Sequence, residues 1–252
     1  MNHEVDYRII GEEMQIAEIE LDNGESVVAE AGSLLYMDMG IQMETIFGDG
    51  SDKEKGSGLM GKLMGAGKRL LTGENLFMTL FTNTVEGKQR AAFSAPYPGK
   101  IIPMDLNSFG NTLICQKDCF LCAAKGVSIG MEFTKKIGAG LFGGEGFILQ
   151  RLEGDGMAFV HSGGTIIRRE LTAGEAIKVD TGCLVAFTEG VQYDIQLVKG
   201  VKSALLGGEG LFFATMTGPG TVWLQSLPFN RLAASIIKTV PQPKESTTLG
   251  WK

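Results

Sequence analysis

Cys115, Cys119 and Cys122 stand at the spacing C-x3-C-x2-C, and three thiolates so placed suit an iron–sulfur cluster with one open iron. That chemistry needs the cysteines on a loop. Here Leu113-Ile114-Cys115 and Cys119-Phe120-Leu121-Cys122 read as strands on either side of a Gln116-Lys117-Asp118 turn. Along one strand Cys119 and Cys122 point to opposite faces, so small buried side chains are expected rather than ligands. His161, followed by Ser162, Gly163 and Gly164, invites a hydrolase reading, but no G-x-S-x-G elbow accompanies it. His3 is the only other histidine, so a triad or a cupin-type metal site lacks partners, and His161 is expected at the surface end of a strand. Two stretches, Gly56–Gly61 and Gly138–Gly143, match G-x-G-x-x-G. A dinucleotide fingerprint requires a strand before it and a helix after it. The second stretch runs instead into a strand-like segment from Phe147. No cofactor, no metal and no enzymatic activity are expected.

The elements available to position any other site come three times. Leu70-Leu71-Thr72-Gly73-Glu74, Leu141-Phe142-Gly143-Gly144-Glu145 and Leu205-Leu206-Gly207-Gly208-Glu209 are each two bulky apolar residues, a Gly-Glu turn and the start of a β-type run. The later two copies keep one offset at many positions: Cys119 falls on Cys183, Gly126 on Gly190, Val127 on Val191, Gly154 on Gly218 and Phe159 on Trp223. In the first copy Ser33 takes the place of Cys119 and Tyr36 that of Cys122, and Ala95 that of His161 and Gln225. That copy carries an insertion, Gly48 to Thr72. A period of this size is the mark of a repeat architecture.

Each repeat reads as short strands bounded by turns such as Asp22-Asn23-Gly24, a hairpin signal. Of the 252 residues, 36 are glycine, spent on turns that need positive φ. About twenty short strands are expected in an all-β unit over 1–240, with repeats at 12–104, 105–174 and 175–228. One helix is expected at 230–240, capped by Asn230 and stopped by Pro241, with a flexible tail at 241–252. The first 22 residues hold no apolar h-region, so no signal peptide is expected. No apolar run approaches a membrane span. Four cysteines do not make a disulfide framework, and a net charge of −6 argues against nucleic acid. A cytoplasmic protein, peripheral to a membrane at most, is expected.

Three features remain for function. Glu74, Glu145 and Glu209 could converge on a pseudo-threefold axis and bind a cation; the plainer reading is that each carboxylate accepts from the amides of its own turn. The apolar pairs Leu70 and Leu71, Leu141 and Phe142, and Leu205 and Leu206 have Lys68 and Arg69, Lys135 and Lys136, and Lys199 and Lys202 close upstream. Exposed, they would suit an anionic membrane surface; the plainer reading is core or a subunit interface. The insertion adds Leu59, Met60, Leu63 and Met64, side chains suited to adaptable partner contact or to a disordered excursion.

The tripled Gly-Glu turns, the Ala31-Gly32-Ser33-Leu34-Leu35 opening and Leu224-Gln225-Ser226-Leu227-Pro228 before a helix resemble the altered inheritance of mitochondria family, from about Tyr7 to Val240. The resemblance implies a β-sandwich of three tandem repeats similar to the subunit of the tryptophan RNA-binding attenuation protein, with no catalytic residues to carry over. Fungal members act in organising the mitochondrial inner membrane, and no targeting segment like theirs is expected here, so that role transfers only loosely. The attenuation protein's RNA and tryptophan binding does not transfer, because none of its binding residues has a match here. The sequence thus points to a non-enzymatic structural or interaction module. A membrane surface or a protein partner would be met at the Gly-Glu turns; the alternative is a small-ligand or ion-binding sandwich using the Glu trio. A homo-oligomer is expected, with a trimer as the guess.

Overall fold

A computed structural model describes residues 5–47, 77–135, 147–197 and 212–239. These residues form an all-β fold with one α-helix, α1 (Phe229–Thr239). Strand β1 (Asp6–Ile10) precedes three sets of six. The first set is β2 (Ile16–Leu21), β3 (Ser26–Glu30), β4 (Leu34–Met37), β5 (Ile41–Phe47), β6 (Phe77–Asn83) and β7 (Gln89–Ser94). The second is β8 (Gly99–Asp105), β9 (Thr112–Gln116), β10 (Phe120–Ala124), β11 (Ser128–Lys135), β12 (Phe147–Glu153) and β13 (Met157–Gly163). The third is β14 (Ile166–Leu171), β15 (Ala176–Asp180), β16 (Leu184–Thr188), β17 (Gln192–Leu197), β18 (Phe212–Thr217) and β19 (Gly220–Gln225). Strand pairing groups β8–β13 and β14–β19 as the second and third sets.

The units interlock. The strand orders are β1-β2-β7-β4, β5-β6-β3-β10-β13-β8, β11-β12-β9-β16-β19-β14 and β15-β18-β17; these are sheets A to D. Within a unit the first and third strands flank the sixth, while the second and fourth flank the fifth. Across units the second strand pairs with the third strand of the next: β3 with β10, and β9 with β16. Each inner sheet is thus half one unit and half the next. The Asp22-Asn23-Gly24 turn is no hairpin, because β2 lies in sheet A and β3 in sheet B. Gly24 still takes a φ of 84°, and Glu25 accepts from the Asp22 amide at 2.8 Å. The third unit repeats the device, Glu175 accepting from the Thr172 amide at 3.0 Å. These corners turn the chain between layers, which the local pattern alone could not distinguish from a hairpin.

Three apolar layers bind the four sheets. Ile19, Phe93, Val27 and Phe81 fill the space between A and B; Met104, Val160, Leu113 and Trp223 that between B and C; Leu149, Phe187, Ala214 and Met216 that between C and D. Residues of B and C are buried on both faces, so their seam strands are continuous apolar runs: Phe120–Ala124 and Thr112–Gln116 are buried throughout. Sheets A and D close the stack, with charged side chains such as Glu20, Arg90 and Lys178 on their outer faces, as terminal units of a repeat array require.

A candidate interaction pole

Strand direction decides where the connections lie. In sheet B all neighbours are antiparallel, so the C-terminal end of β5 shares one end with the C-terminal ends of β3 and β13. Sheet C repeats this with β11, β9 and β19. Three-residue 3-10 turns join β9 to β10 and β15 to β16, and they tie the same end of neighbouring sheets together. The three hairpins β5-β6, β11-β12 and β17-β18 therefore all open at one pole. The connections at 22–26, 83–89, 153–157 and 188–192 lie at the other.

The segments those hairpins bound are 48–76, 136–146 and 198–211. They hold Glu74, Glu145, Glu209, Leu70, Leu71, Leu141, Phe142, Leu205 and Leu206, so all nine candidates lie outside the described residues, as do the insertion at 48–72 and the tail at 241–252. The described strands bring the three attachment points to one pole.

α1 sits at that same pole, following β19. It begins at Phe229, one residue before the expected start: the Pro228 carbonyl accepts from the Arg231 and Leu232 amides at 3.0 and 3.3 Å, placing Asn230 inside the first turn, where its Oδ1 accepts from the Arg231 amide at 2.8 Å. Arg231 pairs with Asp180 at 2.7 Å, and the Phe229 ring lies 5.4 Å from that of Tyr97. A Cβ on Gly163 would come within 1.9 Å of the Leu227 carbonyl oxygen, so only glycine lets the link into α1 lie against the end of β13. The inner face of α1, Leu232, Ala233 and Ala234, is half-buried, whereas Phe229, Ile236 and Ile237 are exposed. Helical spacing puts both isoleucines on one face with Leu232, and that face is only partly covered.

Beneath α1 the ends of the inner strands are polar and buried. His161 is 1% exposed, correcting the expected surface position, and its Nε2 lies 3.1 Å from the Tyr97 carbonyl oxygen. Burial pulls its pKa down to about 4, so the ring is neutral at pH 7. Nε2–H then donates to Tyr97, and Nδ1 has no hydrogen-bond partner. Strand register makes Gln225 its counterpart in the third unit and Ser94, not Ala95, in the first. Gln225 does the same job: Oε1 accepts from the Gly163 amide at 2.8 Å and Nε2 donates to the Gly182 carbonyl at 2.8 Å. Each side chain clamps an inter-unit corner.

Cys115, Cys119 and Cys122 are buried free thiols. Cys115 and Cys119 line the B–C layer and Cys122 the A–B layer; Cys119 lies in the 3-10 turn before β10 and not, as expected from the sequence, along one strand with Cys122. Burial pushes the Cys115 thiol up to about 12 and raises the other two well above their ordinary range, so none is a ready nucleophile. Among the described residues no group of three or more His, Cys, Asp or Glu side chains could hold a metal ion. No helix there is long and apolar enough to cross a membrane.

A family model described as "Mitochondrial biogenesis AIM24" matches residues 7–227. The chain belongs to the AIM24 family. This AIM24 chain is 31% identical over 228 residues to an uncharacterised protein of Streptococcus pyogenes, the match covering 90% of this chain and 87% of the relative. It also resembles the crystal structure of a Streptococcus pyogenes protein solved by a structural genomics consortium, with a TM-score of 0.72 and 25% identity over 94% of this chain and 100% of the other. The AIM24 fold is therefore all-β in a solved relative as it is here.

Proposed function

We propose that this AIM24 protein is a non-enzymatic module that docks its hairpin pole on an anionic membrane surface. The observation that carries the reading is topological: three hairpins leading into segments with paired apolar and nearby basic residues open at the pole that also presents Phe229, Ile236 and Ile237 on α1. Each inserted leucine or phenylalanine contributes roughly 1.5–3 kcal/mol and each basic residue near the surface about 1 kcal/mol, so three tips suffice for reversible binding. The described strands that lead into these segments end at the same pole. In a flotation assay the full chain is expected to rise with anionic vesicles and not with neutral ones, and a Leu70→Ser/Leu71→Ser/Phe142→Ser variant to stay in the soluble fraction. If both proteins stay soluble with anionic vesicles, the membrane reading is wrong.

The shared pole also favours a second reading, in which Glu74, Glu145 and Glu209 approach one another and bind a cation. A bound ion in native mass spectrometry, lost when all three become glutamine, would carry that reading instead.

A further inference from the structure

The seam between units is written twice inside the chain in one register. Cys122 faces Ala29, Ala123 faces Val28 and Ala124 faces Val27; likewise Ala186 faces Cys115, Phe187 faces Ile114 and Thr188 faces Leu113. A third pair of strands of the same types is left over. β4, the third strand of the first unit, pairs only with β7, and β15, the second strand of the third unit, pairs only with β18 among the described residues. They cannot meet within one chain. β4 lies in sheet A and β15 in sheet D, three layers away, or about 30 Å at the usual sheet spacing of about 10 Å.

The two edges also differ from their buried counterparts in exposure. Where Phe120–Ala124 is buried throughout, Leu35, Tyr36 and Met37 on β4 are 51%, 43% and 37% exposed. A bare apolar edge strand is a template for pairing with another chain, and no charge within β4 blunts it. β15 carries Lys178, exposed at its centre, which opposes pairing of two β15 strands because like charges would face one another.

We propose that the β4 edge of one molecule pairs with the β15 edge of a second copy, continuing the internal seam head to tail. The internal register then sets Tyr36 opposite Val179 and Met37 opposite Lys178. The contact is heterologous, so it closes into a ring or extends into a chain according to the angle between sheets A and D. The internal seams keep all hairpins at one pole, and the same seam between copies turns every pole to the same side. This inference stands apart from the membrane reading, since association is measured with no lipid present.

The test is sedimentation velocity on the full chain over a concentration series reaching the millimolar range. The wild type is expected to associate. Met37→Lys places a like charge opposite Lys178 and should weaken association by up to about fivefold. Met37→Glu, equally polar but opposite in sign, should associate at least as well as the wild type. Met37→Lys combined with Lys178→Glu should restore association. A wild type that stays monomeric overturns the proposal, as does association indifferent to Met37→Lys. Equal loss in both Met37 variants, or failure of Lys178→Glu to rescue a double variant with an unchanged melting temperature, overturns it too and points to β4 pairing with β4.

Discussion

Replacing Phe159 with alanine should lower the unfolding free energy by about 3–5 kcal/mol, the range for removing a buried aromatic ring from a core that cannot collapse around the loss. Phe159 lies on β13 with no exposure. It fills the layer between sheets A and B, and the Tyr7 ring of β1 meets it nearly perpendicularly at 5.0 Å. Among the described residues β1 lies outside the three sets, and its Tyr7 ring packs on Phe159. Urea denaturation reads the effect as a lower midpoint at unchanged slope; a loss below about 1 kcal/mol would show that the ring is not wedged between sheets as described.

The second large effect is acid sensitivity at His161. The ring titrates near 6.5 when unfolded and at about 4 in the fold. Below pH 6.5 the unfolded chain takes up a proton that the folded chain refuses, so the stabilisation present above pH 6.5 declines as pH falls and is exhausted below about pH 4. At 1.36 kcal/mol per pKa unit this amounts to about 3 kcal/mol. Carboxylates paired in the fold add their own acid dependence, so the informative quantity is a difference. His161→Gln installs the side chain that the third unit uses at this position. It should flatten the fall in stability between pH 6.5 and 4 relative to the wild type while leaving stability at pH 8 nearly unchanged. Parallel pH profiles for the two proteins would contradict a buried neutral imidazole.

His161 also shows where sequence reasoning stops. Its strand was legible, because Met157 to His161 is bounded by glycine turns and matches Thr221 to Gln225. The burial was not legible, because it depends on Tyr97 and α1 closing over the strand end from elsewhere in the chain. The same holds for Asp22-Asn23-Gly24: the turn is real, yet two strands joined by a tight turn can share a sheet or lie in facing ones, and the alternation along each is the same. Strand spacing, the helix and the equivalence of Cys119 with Cys183 or Phe159 with Trp223 follow from side-chain period and turn chemistry, which are local. The division into four interlocked sheets rests on which strand finds the sixth strand of its own unit and which the third strand of the next, and those pairings leave no local mark. The nine candidate residues were found by repetition alone; the fold adds that the strands bearing their segments end together.

Hydrogen–deuterium exchange of the full chain with and without anionic vesicles tests that pole most directly. Slowed exchange is expected in α1, Phe229–Thr239, and at the hairpin ends around residues 47, 77, 135, 147, 197 and 212. The connections of the opposite pole, at 22–26, 83–89, 153–157 and 188–192, should exchange at the same rate with or without vesicles. Protection at those opposite turns, or no change at either end while the protein floats with the vesicles, would contradict a membrane-facing hairpin pole.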